Sequence, residues 1–424
     1  MDAGRRRPGM IRLFYAANPM IPLIAFLFAL LVAATGTAWL LRRAGLVSDG
    51  IVAGLLVGVM LGPTVLGRIA PAWWEDTVTG GTEARVVLDH AVSERQAYTM
   101  ASTAAGLGPA ARADGLRDRD ARIEQASSLL AERKLDHARP WTVLTTAFSV
   151  AALWLGWCSV RSARPRPSAP SGAATTFALS CWVVLLPGFV AILLLGLLGW
   201  SPREPATLLV AIAVSVSAWP PGGRDAGELR RLGVRNLVGS TAMVGTLLLI
   251  APAVVAHLLG SPAWSMIALP LVVLGATGMP VPESIRRRRR ARRILARVIL
   301  PTLAALCVVR SEVLVQTPWI LAIGLILIAG DGRAIAWMIG LKFSGLPSLP
   351  GSPVAVATTN GAPPRTGVAW RTALLASGAG GPQLAFTASA AALGGLDSGM
   401  AFALALGAGG IDLFGPSRRR LAGL

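Results

Sequence analysis

Apolar stretches long enough to cross a bilayer, ~17–25 residues, recur along almost the whole chain. They fall near residues 19–41, 51–72, 141–160, 174–200, 205–222, 237–259, 263–282, 296–316, 318–341, 368–393 and 399–415. Backbone groups in hydrocarbon have no water to bond, so runs of this length specify helices that satisfy their own hydrogen bonds. The expected fold is an all-α polytopic membrane protein with about eleven transmembrane helices. Composition agrees: 14% of residues are charged and 54% hydrophobic, against roughly 25% charged in soluble domains.

The net charge of +19 would suit a nucleic-acid binder, but its distribution does not. Residues 75–139 hold 11 of the 21 acids and 9 of the 40 bases, so the positive excess lies elsewhere, in short gaps between apolar runs. Basic clusters at Arg42/Arg43, Arg161/Arg164/Arg166, Arg224/Arg230/Arg231/Arg235, Arg286–Arg290, Lys342/Arg365 and Arg418–Arg420 occupy alternate loops. Short basic loops mark the cytoplasmic side. This alternation places the N-terminus outside and the C-terminus inside the cytoplasmic membrane, against the single dissenting cluster Arg5–Arg7. Nucleic acid is not an expected partner. The arginine run SIRRRRRARR fixes topology and meets anionic headgroups around Arg286–Arg293.

Three segments follow: residues 1–74 with the first two spans, 75–140 as an extramembrane helical insertion, and 141–424 with the remaining spans. The insertion has helix-like stretches near 83–105 and 117–137, split by Gly106-Leu107-Gly108-Pro109. Val86, Val87 and Ala91, then Ile123, Leu129 and Leu130, give each a weak apolar face at helical spacing, which predicts a small hairpin. The three cysteines lie in apolar stretches and read as small buried hydrophobes, and His90 and His137 lack the partners a metal site needs. There is no phosphate loop and no usable nucleophile–base set, so neither an enzyme nor a bound cofactor or metal is expected.

Residues 54–71, GLLVGVMLGPTVLGRIAP, place glycines and a proline inside a span: small residues let another helix approach closely, and Gly62-Pro63 ends or bends the span. The segment Gly62-Pro63-Thr64-Val65-Leu66-Gly67 resembles the second span of bacterial monovalent cation:proton antiporters, the sodium/hydrogen exchanger family that includes potassium-efflux types. Later segments follow in the family's order. Residues 212–235, with Trp219-Pro220-Pro221-Gly222, are similar to its broken helix, and residues 301–319, with Arg310 and Glu312, to a span closing on an Arg-x-Asp pair. The end of the chain resembles the last two spans, with Gly381-Pro382-Gln383 where the family has Arg-Gly-Glu. The resemblance implies sodium/proton-antiporter-like inverted repeats, a core moving against a scaffold, and two crossing broken helices near the midplane. It leaves room for a homodimer.

Cation–proton exchange needs an intramembrane group that binds either a proton or a cation. A desolvated carboxylate does this. The family places such acids on the span after the broken helix, yet residues 237–259 contain no Asp, Glu, Asn or Gln. Asp331, in ILIAGDGRAIAW, is the acid nearest the middle of a run and is one proton/cation candidate. The other readings of Asp331 are an internal ion pair with Arg333, Arg310 or Arg371, or exposure in a loop. Ser215, Ser217 and Gln383 can lend oxygens to a cation, while small hydroxyl residues equally serve helix packing. Arg310 and Glu312 also fit a solvated pair at a span end. Asp412 fits a cap, or a partner for Arg418–Arg420. Gly62, Pro63, Gly67 and Pro220 are the structural motif residues. The expected function is a divergent monovalent cation:proton antiporter working by alternating access, with monovalent cations and protons as partners. The alternative is a transport-inactive relative acting as a membrane scaffold or sensor.

Overall fold

A computed structural model describes residues 20–47, 50–80, 82–106, 108–160, 173–202, 204–215, 241, 290, 293–343, 366–377 and 380–421. Every regular element among them is helical. The principal helices are α1 (Met20–Arg43), α2 (Ile51–Met60), α3 (Thr82–Ala104), α4 (Pro109–Val160), α5 (Ala173–Leu197) and α6 (Pro205–Ser215). They continue with α7 (Leu300–Val308), α8 (Trp319–Leu327), α9 (Arg333–Phe343), α10 (Thr366–Ala376), α11 (Gly381–Ala392) and α12 (Ser398–Leu421). Among the described residues three helices, Pro22–Arg43, Thr176–Leu197 and Trp319–Phe343, are long and apolar enough to cross a membrane. Shorter apolar helices occur at Ile51–Met60, Pro205–Ser215, Leu295–Val308 and Ser398–Phe414. The run 237–259 apart from Thr241, the run 263–282, Ser217, Pro220 and most of the 286–293 arginine run lie outside the described residues.

Three of the apolar runs are divided differently from a simple row of spans. The run 51–72 is helical only to Met60; Gly62, Pro63 and Thr64 then turn the chain before the one-turn helices Leu66–Ile69 and Pro71–Trp74. Proline has no N–H to continue the ladder, which makes it a natural stop. The run 368–393 is two helices, α10 and α11, the second opening on Gly381 with Pro382 in its first turn. The run 318–341 is continuous but passes through a π-helical turn, Ile328–Gly332, between α8 and α9.

The chain divides into two compact units. One comprises residues 1–29 and 65–143. Its α3 and the start of α4 form the expected hairpin about Gly106, whose φ of +65° suits glycine. The second helix does not end at 137 but continues through Pro140 to Val160, since one proline removes one ladder bond and need not end a helix. The packing side matches the expected face only in part: Ala91 is buried and Ile123 and Leu130 half-buried, but Val86, Val87 and Leu129 are exposed, and Ala84, Ser102 and Ala126 are buried as well. Small side chains let the helices approach, and polar contacts fix their register. Arg95 pairs with Asp120, Arg122 with Glu94, and the Arg119 guanidinium lies 3.9 Å from the centre of the Tyr98 ring. These ion pairs are exposed, so Asp120→Ala should cost less than about 1 kcal/mol of hairpin stability by thermal melting. In the same unit Phe26 packs edge-on against Trp73 and Trp74, with ring centroids 5.8 Å apart in each pair.

The other unit comprises residues 30–64 and 144–424. Its core has three patches. The first joins α5, α6, α8, α11 and α12; the second joins α2, α7, α11 and α12; the third joins α5, α9 and α10. The α2–α7 contact explains the glycine spacing. A Cβ on Gly54 would fall on the Pro301 carbonyl oxygen and 2.8 Å from the Ala304 Cβ; one on Gly58 would lie 2.8 Å from the Ala305 oxygen. Gly62 comes within 3.1 Å of the Val309 oxygen on the same measure. Glycines four apart therefore form the strip on which α7 rests, the small-residue packing familiar between membrane helices. Beyond it, the buried Thr64 hydroxyl accepts a hydrogen bond from the Val313 N–H at 3.2 Å.

Asp412 in α12 is buried, and its carboxylate accepts from the N–H groups of Ile51 (2.8 Å) and Val52 (3.4 Å). It thus caps the first turn of α2 from a distant helix, where the positive dipole end favours an anion. Asp412→Ala should lower stability by about 1–3 kcal/mol, the cost of leaving buried amides unpaired. A melting midpoint in detergent unchanged from the parent protein would contradict that role.

Candidate functional site

The π-helical turn Ile328–Gly332 sets up the site. A π-turn inserts a residue and alters which side chains face inward. Asp331 is exposed, whereas Arg333, the first residue of α9, has no exposed surface. Arg333 heads the fully buried side chains ranked by size. A guanidinium stays protonated in proteins, so this is a permanent positive charge in an apolar setting.

Its environment offsets the desolvation cost. Nε and an Nη of Arg333 donate to the Val214 carbonyl at 3.1 and 2.7 Å. Val214 lies near the end of the described part of α6, and its carbonyl, with two donors from one guanidinium, offsets part of the cost of burying the charge. The same Nη donates to the Gln383 side-chain oxygen at 2.7 Å. Gln383 is wholly buried in the first turn of α11, and its Nε2 donates to the Leu404 carbonyl of α12 at 2.8 Å. One buried chain of hydrogen bonds therefore ties α6, α9, α11 and α12 together.

Small residues make room for it. A Cβ on Gly407 would lie 2.9 Å from Gln383 Nε2 and 3.2 Å from the Leu325 oxygen. A Cβ on Gly188 of α5 would lie 2.5 Å from the Ser215 hydroxyl oxygen, so Ser215, itself buried, sits against a bare stretch of helix. One turn along α11 from Gln383, the buried Thr387 hydroxyl has no hydrogen-bond partner among the described residues.

Of the residues singled out in the sequence, Arg333 and Gln383 meet directly, and Ser215 follows Val214, whose carbonyl accepts from Arg333. Asp331, Arg310 and Arg371 are exposed and Glu312 is half-buried. The Val214 carbonyl, Leu404, Gly407, Gly188 and Thr387 were not singled out. Backbone acceptors carry no residue-type signal. Gly188 had one, as the glycine after Pro187 inside an otherwise uninterrupted apolar run.

The arrangement can hold one monovalent cation on carbonyl and amide oxygens, and the arginine supplies that charge itself. Gln383 accepts and donates hydrogen bonds but takes up no proton near neutral pH. No family model matches the chain, and no curated protein matches it.

Proposed function

We propose that this chain is a multi-pass protein of the cytoplasmic membrane, with about eleven spans, and a divergent secondary transporter of the monovalent cation:proton antiporter type. The N-terminus and the 75–140 insertion would lie outside and the C-terminus inside. The observation that carries the reading is the burial of Arg333 on the Val214 carbonyl and Gln383. Carbonyl and amide oxygens inside an apolar core are groups able to replace the hydration shell of a transported cation. Arg333 acts as a tethered cation on those oxygens. The transported ion enters by competing for them, and the core bundle rearranges around the exchange. Asp331, two residues away on the same span, supplies the titratable carboxylate that couples the exchange to protons.

A second reading, a transport-inactive relative serving as scaffold or sensor, is favoured by one observation. The side chains described at the centre are Arg333, Gln383, Ser215 and Thr387, none of which titrates near neutral pH. Vesicles containing the protein and a pH-sensitive dye separate the two. Addition of Na⁺, K⁺ or Li⁺ across a pH gradient should dissipate it, and Asp331→Asn should abolish the response. A response that survives Asp331→Asn removes that carboxylate from the mechanism. No response to any of the three cations favours the scaffold.

A further inference from the structure

The C-terminal end of α1 meets the start of the helical stretch that leads into α7. Arg42 is half-buried and donates from an Nη to the Ala296 carbonyl at 2.5 Å. Ala38 and Ala296 both come within 3.4 Å of the position a Cβ would take on Gly50, so the two segments adjoin around that glycine. Around this junction the surface is both basic and apolar. Arg43, Arg293 and Arg297 are exposed, and no carboxylate among the described residues pairs with them. The Arg43 guanidinium sits 5.4 Å from the centre of the Trp39 ring, which is 52% exposed, and Ile294 is 40% exposed. The nearby acid Asp412 is turned inward onto the amides of α2.

We propose that this junction is a binding surface for an anionic phospholipid, its phosphate held by Arg43, Arg293 and Arg297 and its acyl chains lying along Trp39 and Ile294. Two observations select this occupant. Three guanidinium groups with no carboxylate partner among the described residues complement a phosphate, which arginine binds through paired N–H donors. The helix Pro22–Arg43 is of spanning length and ends at these residues, which puts Trp39 and Arg43 at the depth where aromatic and basic anchors meet headgroups. This surface does not depend on whether the protein transports an ion.

The test is retention of lipid by the purified full chain, measured by native mass spectrometry after mixing with phosphatidylglycerol or phosphatidylcholine in neutral detergent. The protein should retain phosphatidylglycerol selectively. Replacing Arg43, Arg293 and Arg297 together by Gln should reduce that preference on the order of a hundredfold, given the contribution of each basic residue at an anionic surface. The same number of neutralised charges in the hairpin (Arg117→Gln, Arg133→Gln, Lys134→Gln) should leave it unchanged, which also controls for net charge. A parent protein without preference overturns the proposal. So does a triple variant that keeps it, or displacement of the lipid by millimolar inorganic phosphate, which would mark an anion site without acyl contacts.

Discussion

Gly54→Leu should prevent the helical core from assembling, and Gly54→Ala should already destabilise it strongly. The added Cβ meets the Pro301 carbonyl oxygen and the Ala304 Cβ, both on α7. A backbone oxygen cannot swing aside as a long side chain can, so relief requires α2 and α7 to separate. Overpacking of a tight core costs typically ~1–3 kcal/mol, and Gly54→Leu should exceed that range because separation also strips contacts along Gly58 and Gly62. Gly36→Ala is the matched control, since a Cβ there meets nothing within 4 Å. The readout is the fraction of protein running as a single peak in detergent, together with its melting temperature. Equal behaviour of the Gly54 and Gly36 variants would refute the packing assignment.

The second large effect falls on the buried hydrogen-bond chain. Arg333→Ala removes the hydrogen bonds donated to Val214 and Gln383 and leaves those oxygens facing apolar neighbours. Each unsatisfied buried acceptor costs about 1–3 kcal/mol, so the expected loss is on the order of 2–5 kcal/mol. Arg333→Lys should recover only part of it, because an ammonium lacks the planar fork that reaches a carbonyl and an amide oxygen together. Gln383→Leu should fall between the two, since it removes one acceptor of the buried guanidinium while Arg333 keeps Val214. Were Arg333→Ala as stable as the parent protein, the four helices would not be held by this side chain.

The helical class and the packing role of the 54/58/62 glycines were legible because they rest on composition and on spacing, which a sequence displays directly. The break at Gly62-Pro63 was legible for the same reason: proline removes a donor wherever it stands. Gln383 stood out as a neutral side chain at a position where the resembling family carries an acid. The inward choice of Arg333 over Asp331 was not legible. Two residues apart, their facing depends on the π-helical turn at Ile328–Gly332, and a one-residue change in helical phase has no residue-type signature. The hairpin shows the opposite failure. Its valines fit an apolar stripe by periodicity, but alanines set the contact because close approach and ion pairing favour the narrower face.

The proposed transport centre also predicts why a glutamine suffices at 383. An acid there would form a direct ion pair with Arg333, holding the guanidinium more firmly than a neutral amide does. Gln383→Glu should therefore slow any cation-driven response in vesicles while raising the melting temperature. Faster exchange in that variant would instead identify position 383 as a proton site.

Equilibrium binding of radiolabelled sodium or rubidium to purified protein tests the tethered-cation account most directly, comparing the parent with Arg333→Lys and Arg333→Gln variants that retain a single chromatographic peak. If the guanidinium competes with the transported ion for the Val214 and Gln383 oxygens, weakening or removing it should tighten cation binding by roughly tenfold or more, the equivalent of one lost competing hydrogen bond to a charged group. Binding that is equal in all three proteins, or lost with Arg333, would contradict the account.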